Sequence, residues 1–222
     1  MRFVLSFSGG KDSILALHKM LEMGHAPVAL LVLYQEKTGR SWTHGADREL
    51  LCAIADALGI LLFCCPAAAD SYRADMERAL RQAREMGAEA CVFGDVDTEE
   101  HRRWDEGRCA AAGLKAILPL WKRDRTENVY EAVTLGYRCL IKCVRRGVLP
   151  ESFLGQPLTF PLLEEMKRYG VDLCGEDGEY HTIVVDGPLF HRPVAVENRG
   201  ILRFEHISAA DLAVVPETER RI

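Results

Sequence analysis

The hexapeptide Ser8-Gly9-Gly10-Lys11-Asp12-Ser13 contains the residues whose types and spacing point most directly to chemistry. Two adjacent glycines let the backbone turn sharply and approach a ligand without a Cβ in the way. Two serine hydroxyls, a lysine ammonium and the backbone N–H groups of Gly9, Gly10 and Lys11 are all hydrogen-bond donors. So many donors within six residues predict a site for an anion with several charged oxygens, such as a di- or triphosphate.

The segments on either side of the hexapeptide predict the elements that hold it. The apolar run Phe3–Phe7 precedes it and Ile14–His18 follows it, which indicates a strand, a turn and then a helix. The first turn of that helix is expected to direct its unpaired N–H groups and the positive end of its dipole at the same anion. The spacing differs from G-x-x-x-x-G-K-[ST] and from G-x-G-x-x-G, so neither of those nucleotide-binding loops is predicted.

A second group of ionisable residues lies in Cys174–Thr182, directly before the apolar run Ile183–Val185. Glu176, Glu179 and His181 can accept protons, and the two glutamates can also bind ammonium. A glycine turn with solvated acids that leads into a strand is the alternative interpretation of the same residues.

The composition is that of a folded globular chain with one large or two small domains. It has 222 residues, 48% of them hydrophobic, and a formal net charge of −5, which argues against a general nucleic-acid-binding surface. Met1 leads straight into an apolar strand and no apolar run has the length of a membrane span, so we expect no signal peptide, no membrane partner and a cytoplasmic location. Eight cysteines without a C-x-x-C pair are expected to be free and structural.

Alternating strand and helix patterns in the first 125 residues predict an α/β fold with a doubly wound parallel sheet. The predicted strands are 3–7, 27–34, 61–65, 90–93 and 115–118, and the predicted helices are 12–23, 46–58, 71–86 and 99–112. A glycine directly follows each predicted helix, including the two that end at Met23 and Met86, as expected of a helix C-cap. Ligands of such sheets bind beyond the carboxyl ends of the strands, where the hexapeptide lies.

The alternation is lost after residue 125. A helix is predicted over 126–135, a strand over 137–145, a short helix over 162–169, and strands over 179–185 and 193–204. We therefore predict two parts. Residues 1–125 form the nucleotide-binding α/β domain, and residues 126–222 form a smaller α+β lobe that completes the active-site cleft.

The hexapeptide resembles the PP-loop of the N-type ATP pyrophosphatases, in the adenine-nucleotide α-hydrolase superfamily. Cys174–Thr182, followed by Val185–Phe190, is similar to the signature G-E-[GN]-G-E-[FY]-[EH]-T and D-[GA]-P-[LM]-F of the diphthine–ammonia ligase family. Residues 93–96 resemble that family's F-G-D-I, residues 116–121 its P-L-W element and residues 42–44 its M-F-H. The family's R-x-R-V-E is loosened here to His101-Arg102-Arg103-Trp104-Asp105-Glu106.

This resemblance implies a HUP-like, Rossmann-like fold and an ATP-dependent ligase. Enzymes of this kind cleave ATP between the α- and β-phosphates and adenylate a carboxylate acceptor. Ammonia then displaces AMP. The acceptor is expected to be diphthine on elongation factor two in an archaeon or a eukaryote, and another molecule in a bacterium. The expected partners are ATP, ammonium and such a protein acceptor, and a homodimer is an expected assembly.

The resemblance also implies roles for individual residues. Lys11 stabilises the phosphates, Glu176 and Glu179 bind and deprotonate ammonium, and His181 relays a proton or makes a structural hydrogen bond. The residues expected to bind ATP are Ser8, Gly9, Gly10, Lys11, Asp12, Ser13, Leu33, Gly94 and Asp95. Magnesium is expected on Asp12 and Asp95, although bracing of the loop is an alternative role for Asp12. The residues expected to contact the acceptor are His44, Arg102, Arg103, Tyr180 and Thr182.

Two other functions fit the same hexapeptide. A PP-loop enzyme that modifies a tRNA base is the first, but the catalytic C-x-x-C of thiolating relatives and a basic RNA-binding appendage are both missing from the sequence. A protein that binds ATP without turnover is the second. The acidic group at Glu176–His181 argues against it, since retention of ATP needs no such group near the phosphates.

Overall fold

The computed structural model describes residues 1–41 and 45–216 and contains two sheets. The first is parallel, and its five strands lie in the order β3-β2-β1-β4-β5. They are β1 (Arg2–Ser6), β2 (Ala26–Tyr34), β3 (Leu62–Pro66), β4 (Ala90–Val92) and β5 (Lys115–Ile117). The strand order reverses between β1 and β4, which is where doubly wound sheets open a crevice for ligands.

Helices cover both faces of the parallel sheet. They are α1 (Lys11–Glu22), α2 (Arg48–Leu58), α3 (Tyr72–Glu85) and α4 (Glu99–Ala112). Side chains of β1 alternate between two apolar clusters: Phe3 and Leu5 pack with α1 and α2, whereas Val4 packs with α3 and α4. The sheet is therefore buried on both sides, which explains why its strands consist mainly of apolar residues.

The second sheet is antiparallel, with the strand order β7-β6-β9-β8. The C-terminal elements are α5 (Arg125–Thr134), β6 (Arg138–Arg145), a 3-10 helix (Glu151–Phe153), α6 (Phe160–Lys167), β7 (Tyr180–Asp186), β8 (Val196–Arg203) and β9 (Ile207–Val214). Ile183 and Val184 of β7 belong to the same apolar cluster as Leu15 of α1. The two sheets thus share one core on the α1 face.

The predicted α/β fold class is confirmed, and the predicted strands of the parallel sheet deviate by one or two residues at their ends. The helix expected from residue 46 begins at Arg48, and the strand expected over 193–204 is β8. Strand β9 was not predicted, because its Ser-Ala-Ala-Asp centre has a weak strand signal and its position is fixed by pairing with β6 and β8. The division at residue 125 stays a prediction.

All eight cysteines are free thiols, as expected, and six of them are buried. Across residues 1–41 and 45–216, no helix has both the length and the apolar character that a bilayer span requires.

Candidate active site

Residues Ser8–Ser13, here called the glycine loop, join β1 to α1 at the carboxyl edge of the parallel sheet. Gly9 has a positive φ of 78°, and a Cβ at this position would lie 2.6 Å from Cδ1 of Ile183. The turn therefore needs glycine for its backbone conformation and for its contact with β7. The Ser13 hydroxyl donates to the Gly10 carbonyl at 2.9 Å, and the Ser8 and Ser13 hydroxyl oxygens are 3.3 Å apart.

Strand β7 is hydrogen-bonded directly to the glycine loop. The N–H of Val184 donates to the carbonyl of Gly9 at 2.8 Å, and the N–H of Lys11 donates to Oγ1 of Thr182 at 3.0 Å. The Gly10 N–H donates to Oγ of Ser8 at 3.2 Å. Two of the three backbone donors expected to face phosphate are thus engaged by side chains.

A cavity of about 540 Å³ opens beside the glycine loop, between the carboxyl ends of β1, β2 and β4 and the first residues of β7. This volume is in the range of small-molecule sites. The predicted residues that line it are Ser8, Lys11, Asp12, Ser13, Leu33, Gly94, Asp95, Glu176, Tyr180, His181 and Thr182. Gly9 and Gly10 are buried and are not among the residues that line the cavity.

Lys11 is the cation at the centre of the cavity wall. Its side chain is only 6% exposed, and its Nζ lies 2.7 Å from Oδ2 of Asp12 and 5.6 Å from the ring centroid of Tyr180. Burial lowers the pKa of this ammonium, but the charge and hydrogen bond of Asp12 together with the charges of Cys174 and Tyr180 outweigh burial, so the pKa lies well above its usual range. Lys11 is therefore charged at neutral pH.

Glu176 lies across from Lys11 and close to Asp12. Ligand atoms of Asp12, Cys174 and Glu176 all lie within 4.8 Å of one another. Burial, and then the charge of Asp12, raise the pKa of Glu176 to about 7. Glu176 can thus exchange a proton near neutral pH, which suits a general base.

Asp95 follows β4, at the strand next to β1. Its Oδ1 lies 3.0 Å from Nδ1 of His101, and burial raises its pKa despite that partner. The preceding Gly94 is close to α1, since a Cβ there would lie 2.9 Å from backbone atoms of Asp12 and Ser13. Of the predicted magnesium pair, the structure groups Asp12 with Glu176 and Cys174, whereas Asp95 is engaged by His101.

Glu179 does not line the cavity, although its sequence position predicted it there. It is 6% exposed, and its Oε1 accepts a hydrogen bond from the Asp172 N–H at 3.0 Å. Asp172 in turn accepts from the N–H groups of Cys174 and Glu176, each at 3.0 Å. Glu179 therefore holds the acidic loop (Asp172–Glu179) in shape, and Glu176 is the glutamate that faces the cavity.

The first two residues of β7 have different environments. Tyr180 is buried and its hydroxyl donates to the Leu173 carbonyl at 2.6 Å, so it also fastens the acidic loop. His181 lines the cavity, and burial, followed by the charge of Lys11, lowers its pKa. Its imidazole is therefore neutral at pH 7, as a hydrogen-bonding relay requires.

The arginines predicted to contact the acceptor lie outside the cavity. Arg102 pairs with Glu106 at 2.7 Å and lies over the ring of Trp121, while Arg103 is exposed. Their positions do not support the predicted contact in this structure. His44 lies outside the described residues.

Three residues of α4 that were not predicted as site residues line the cavity instead: His101, Trp104 and Asp105. Asp105 is only 4% exposed, and burial and then the charge of Asp95 raise its pKa to about 9. These residues belong to the loosened arginine motif, but only the orientation of α4 in the structure shows which of its side chains point into the cavity.

Comparison with known proteins gives consistent matches over nearly the whole chain. The family model of the diphthamide synthase N-terminal domain matches residues 1–116, and that of the C-terminal domain matches residues 124–211. The diphthine–ammonia ligase of Danio rerio is 30% identical to this chain, and the match covers 89% of this chain and 87% of the relative. The human and bovine proteins of the same name are 25% and 26% identical, each over 91% of this chain and 85% of the relative. The chain thus belongs to the diphthamide synthase family.

Proposed function

We propose that this protein is an ATP-dependent ligase that forms a C–N bond between ammonia and a carboxylate acceptor, as a diphthine–ammonia ligase. One observation carries the proposal. The charged Lys11 and the proton-accepting Glu176 lie in one cavity, on two segments that the Lys11–Thr182 hydrogen bond joins. The relatives named above favour this chemistry over modification of a tRNA base and over binding of ATP without turnover.

The first half-reaction uses the glycine loop. The acceptor carboxylate attacks the α-phosphorus of ATP, the bond to the β-phosphate oxygen breaks, and pyrophosphate leaves. Lys11 and the hydroxyls of Ser8 and Ser13 face the charge that develops on the leaving group, together with the N-terminal end of α1. Leu33, at the end of β2, lines the same cavity and is proposed to contact the adenine.

Magnesium fits this donor set through Asp12. Its carboxylate is in the first turn of α1, next to the loop, and magnesium commonly uses one or two carboxylates together with phosphate oxygens. When bound, the ion neutralises phosphate charge. Asp95 is left out of this assignment, because the possible metal ligands grouped with Asp12 are Cys174 and Glu176.

The second half-reaction uses Glu176. Ammonium has no lone pair, so a base must remove a proton before the nitrogen can attack the acyl carbon and release AMP. Glu176, with a pKa of about 7, accepts that proton, and the neutral His181 beside it can pass it on. We propose that the acceptor is diphthine on elongation factor two, that Tyr180 and Thr182 shape its binding site from β7, and that the reaction takes place in the cytoplasm.

The test is product analysis with ATP, magnesium, ammonium chloride and elongation factor two that carries diphthine. AMP and pyrophosphate should form in equal amounts together with the amide, and Lys11→Ala should abolish all three. Lys115→Ala, which removes an exposed lysine at the start of β5, is the matched control and should keep full activity. Release of ADP and phosphate would contradict the proposal.

A further inference from the structure

The wall of the cavity opposite β7 contains a pair of carboxyl groups that the ligase chemistry above does not use. Asp95 and Asp105 are neighbours joined by a side-chain hydrogen bond, and the charge of Asp95 raises the pKa of Asp105. Oδ2 of Asp105 is buried and has no hydrogen-bond partner among the residues that the structure describes. An unpartnered buried carboxyl oxygen is costly, because it loses its hydration without replacement.

No cation of the described chain neutralises Asp105. Arg108, one helical turn further along α4, pairs with Glu77 at 3.1 Å instead. His101 binds Asp95 and not Asp105. The other ionisable groups whose charges act on Asp105 or respond to it are Glu106, Cys109, Cys91 and Tyr72. None of these is a cation, so Asp105 has no counter-charge among the described residues, and with a pKa of about 9 its carboxyl group is protonated at neutral pH.

Aromatic and apolar side chains surround this acidic pair. Tyr72 and Trp104 line the same cavity, and their ring centroids are 6.0 Å apart. The charge of Asp105 also raises the pKa of the Tyr72 phenol, so these two side chains are neighbours. Met76 and Phe93 line the cavity as well. Aromatic rings stabilise a weakly hydrated monovalent cation, whereas magnesium keeps several water molecules that such walls cannot replace.

We propose that Asp95 and Asp105 form the ammonium-binding subsite of this cavity, with Tyr72 and Trp104 as its walls. Ammonium has four N–H donors, and one of them satisfies Oδ2 of Asp105 while another reaches Asp95. The charge of Asp95 is among those that raise the pKa of Glu176, so the subsite lies near the proposed base. The inference rests on the proposed function and names the site from which that reaction takes its nitrogen.

The subsite is tested by titration of the full-length protein with ammonium chloride at constant ionic strength, followed by tryptophan fluorescence. Asp105→Asn keeps the shape of the side chain but replaces a carboxyl oxygen by an amide NH₂ donor, and should raise the ammonium concentration at half-saturation by about tenfold or more, the loss expected for one hydrogen bond to a charged group. Glu100→Gln is the matched control, since it removes the charge of an exposed carboxylate on the same helix, and should titrate like the wild type. The KM for ammonium in the ligase reaction should rise in parallel, with the KM for ATP unchanged.

Four results would overturn the inference, three of them in comparisons between variants or salts. They are equal half-saturation for the wild type and Asp105→Asn, an equal response to potassium chloride, and a stronger response to magnesium chloride or tetramethylammonium chloride. A wild type that shows no response also overturns it. Failure of the proposed function has a different signature, namely an Asp105-dependent ammonium response in a protein that forms no AMP or pyrophosphate.

Discussion

The backbone N–H of Lys11 donates to Oγ1 of Thr182 at 3.0 Å, although 171 residues separate the two along the chain. A second hydrogen bond, from the Val184 N–H to the Gly9 carbonyl, lies beside it. These contacts join the glycine loop to β7, which carries Tyr180 and His181 into the same cavity. The candidate site is therefore built across both sheets, and neither sheet contains it alone.

The Thr182 hydroxyl should be required for the shape of the glycine loop. Thr182→Val keeps the β-branched side chain but removes the acceptor, which leaves the buried Lys11 N–H without a partner at a cost of about 1–3 kcal/mol in the free energy of unfolding. ATP affinity should fall about fivefold or more, since roughly 1 kcal/mol corresponds to that factor. Urea unfolding and ATP titration measure the two effects.

Thr182→Ser restores the hydroxyl and should recover most of both losses. Thr134→Val, at an exposed position in the last turn of α5, is the matched control. If Thr182→Val bound ATP as tightly as Thr182→Ser, the hydrogen bond would have no part in holding the loop.

Glu176 should give the ligase a pH dependence near neutrality. Its carboxylate is the form that accepts a proton, and its pKa is raised to about 7, so the rate should rise from pH 6 to a plateau above about pH 8. Glu176→Gln should lower the rate by about 10²–10⁴-fold and remove this limb of the profile. The measurement is kcat/KM for ammonium between pH 5.5 and 9, corrected for the fraction present as ammonia.

The free energy of unfolding should fall as pH rises, whereas the rate rises. A carboxyl whose folded-state pKa exceeds its unfolded value binds protons more tightly in the folded protein, so its contribution to stability is lost as pH rises through about 7. Glu176→Gln should therefore flatten the fall in Tm between pH 5 and 8, whereas the exposed Glu165→Gln should leave it unchanged. An unaltered slope in Glu176→Gln would show that Glu176 has an ordinary pKa.

Arg125 should position the acidic loop. It donates two hydrogen bonds to Asp97, at 2.7 and 2.9 Å, and one to Asp172 at 3.0 Å. Asp172 accepts a hydrogen bond from the N–H of Glu176. Arg125 therefore acts on the proposed base, Glu176, through one intermediate residue. Its partly exposed ion pairs should contribute only about 1 kcal/mol to the free energy of unfolding.

Arg125→Ala should thus leave Tm nearly unchanged but lower kcat about tenfold, the loss expected when a group is displaced by a fraction of an ångström. Arg125→Lys cannot make the two-pronged contact with Asp97 and should recover little. Arg199→Ala removes an exposed arginine of β8 that pairs only locally with Glu197, and serves as control. Equal kcat in Arg125→Ala and Arg199→Ala would contradict the positioning role.

Prediction from sequence succeeded where the chain's own local pattern determines the structure. The apolar strands, the glycine loop and the N-terminus of α1 depend on neighbouring residues, and their positions followed from the sequence. The directions of individual side chains did not follow from the sequence. Glu176 and Glu179 belong to one short acidic motif, yet only Glu176 faces the cavity, because Asp172 draws Glu179 to the other side of the loop.

The residues on α4 were missed for a related reason. His101, Trp104 and Asp105 share one face of that helix, at spacings of three and four, whereas Arg102 and Arg103 lie on other faces. A helical wheel of Glu99–Ala112 identifies that face, but the sequence does not show that the cavity lies on it. Packing of α4 against α3 and β5 decides this orientation.

Gly9 should be the least replaceable residue of the glycine loop, for two separable reasons. Its φ of 78° disfavours any side chain, and a Cβ would lie 2.6 Å from Cδ1 of Ile183. Gly24→Ala isolates the first reason, because Gly24 has nearly the same φ, 75°, with nothing within 4 Å of a Cβ. Gly24→Ala should cost about 1–2 kcal/mol in the free energy of unfolding, and Gly9→Ala should cost more by the strain of overpacking, about 1–3 kcal/mol.

Removal of the Ile183 side chain should relieve the steric overlap with a Cβ at position 9 but not the backbone strain. Ile183→Ala alone costs about 2–5 kcal/mol, because it leaves a cavity in the shared core. In the double variant Gly9→Ala/Ile183→Ala the contact with Cδ1 no longer exists. The stability lost in the double variant should therefore be smaller than the sum of the losses in the two single variants. Urea unfolding of the four proteins in this cycle gives the interaction energy. Strict additivity would mean that β7 does not restrict the loop, and the loss of ATP binding expected in Gly9→Ala would then come from backbone conformation alone.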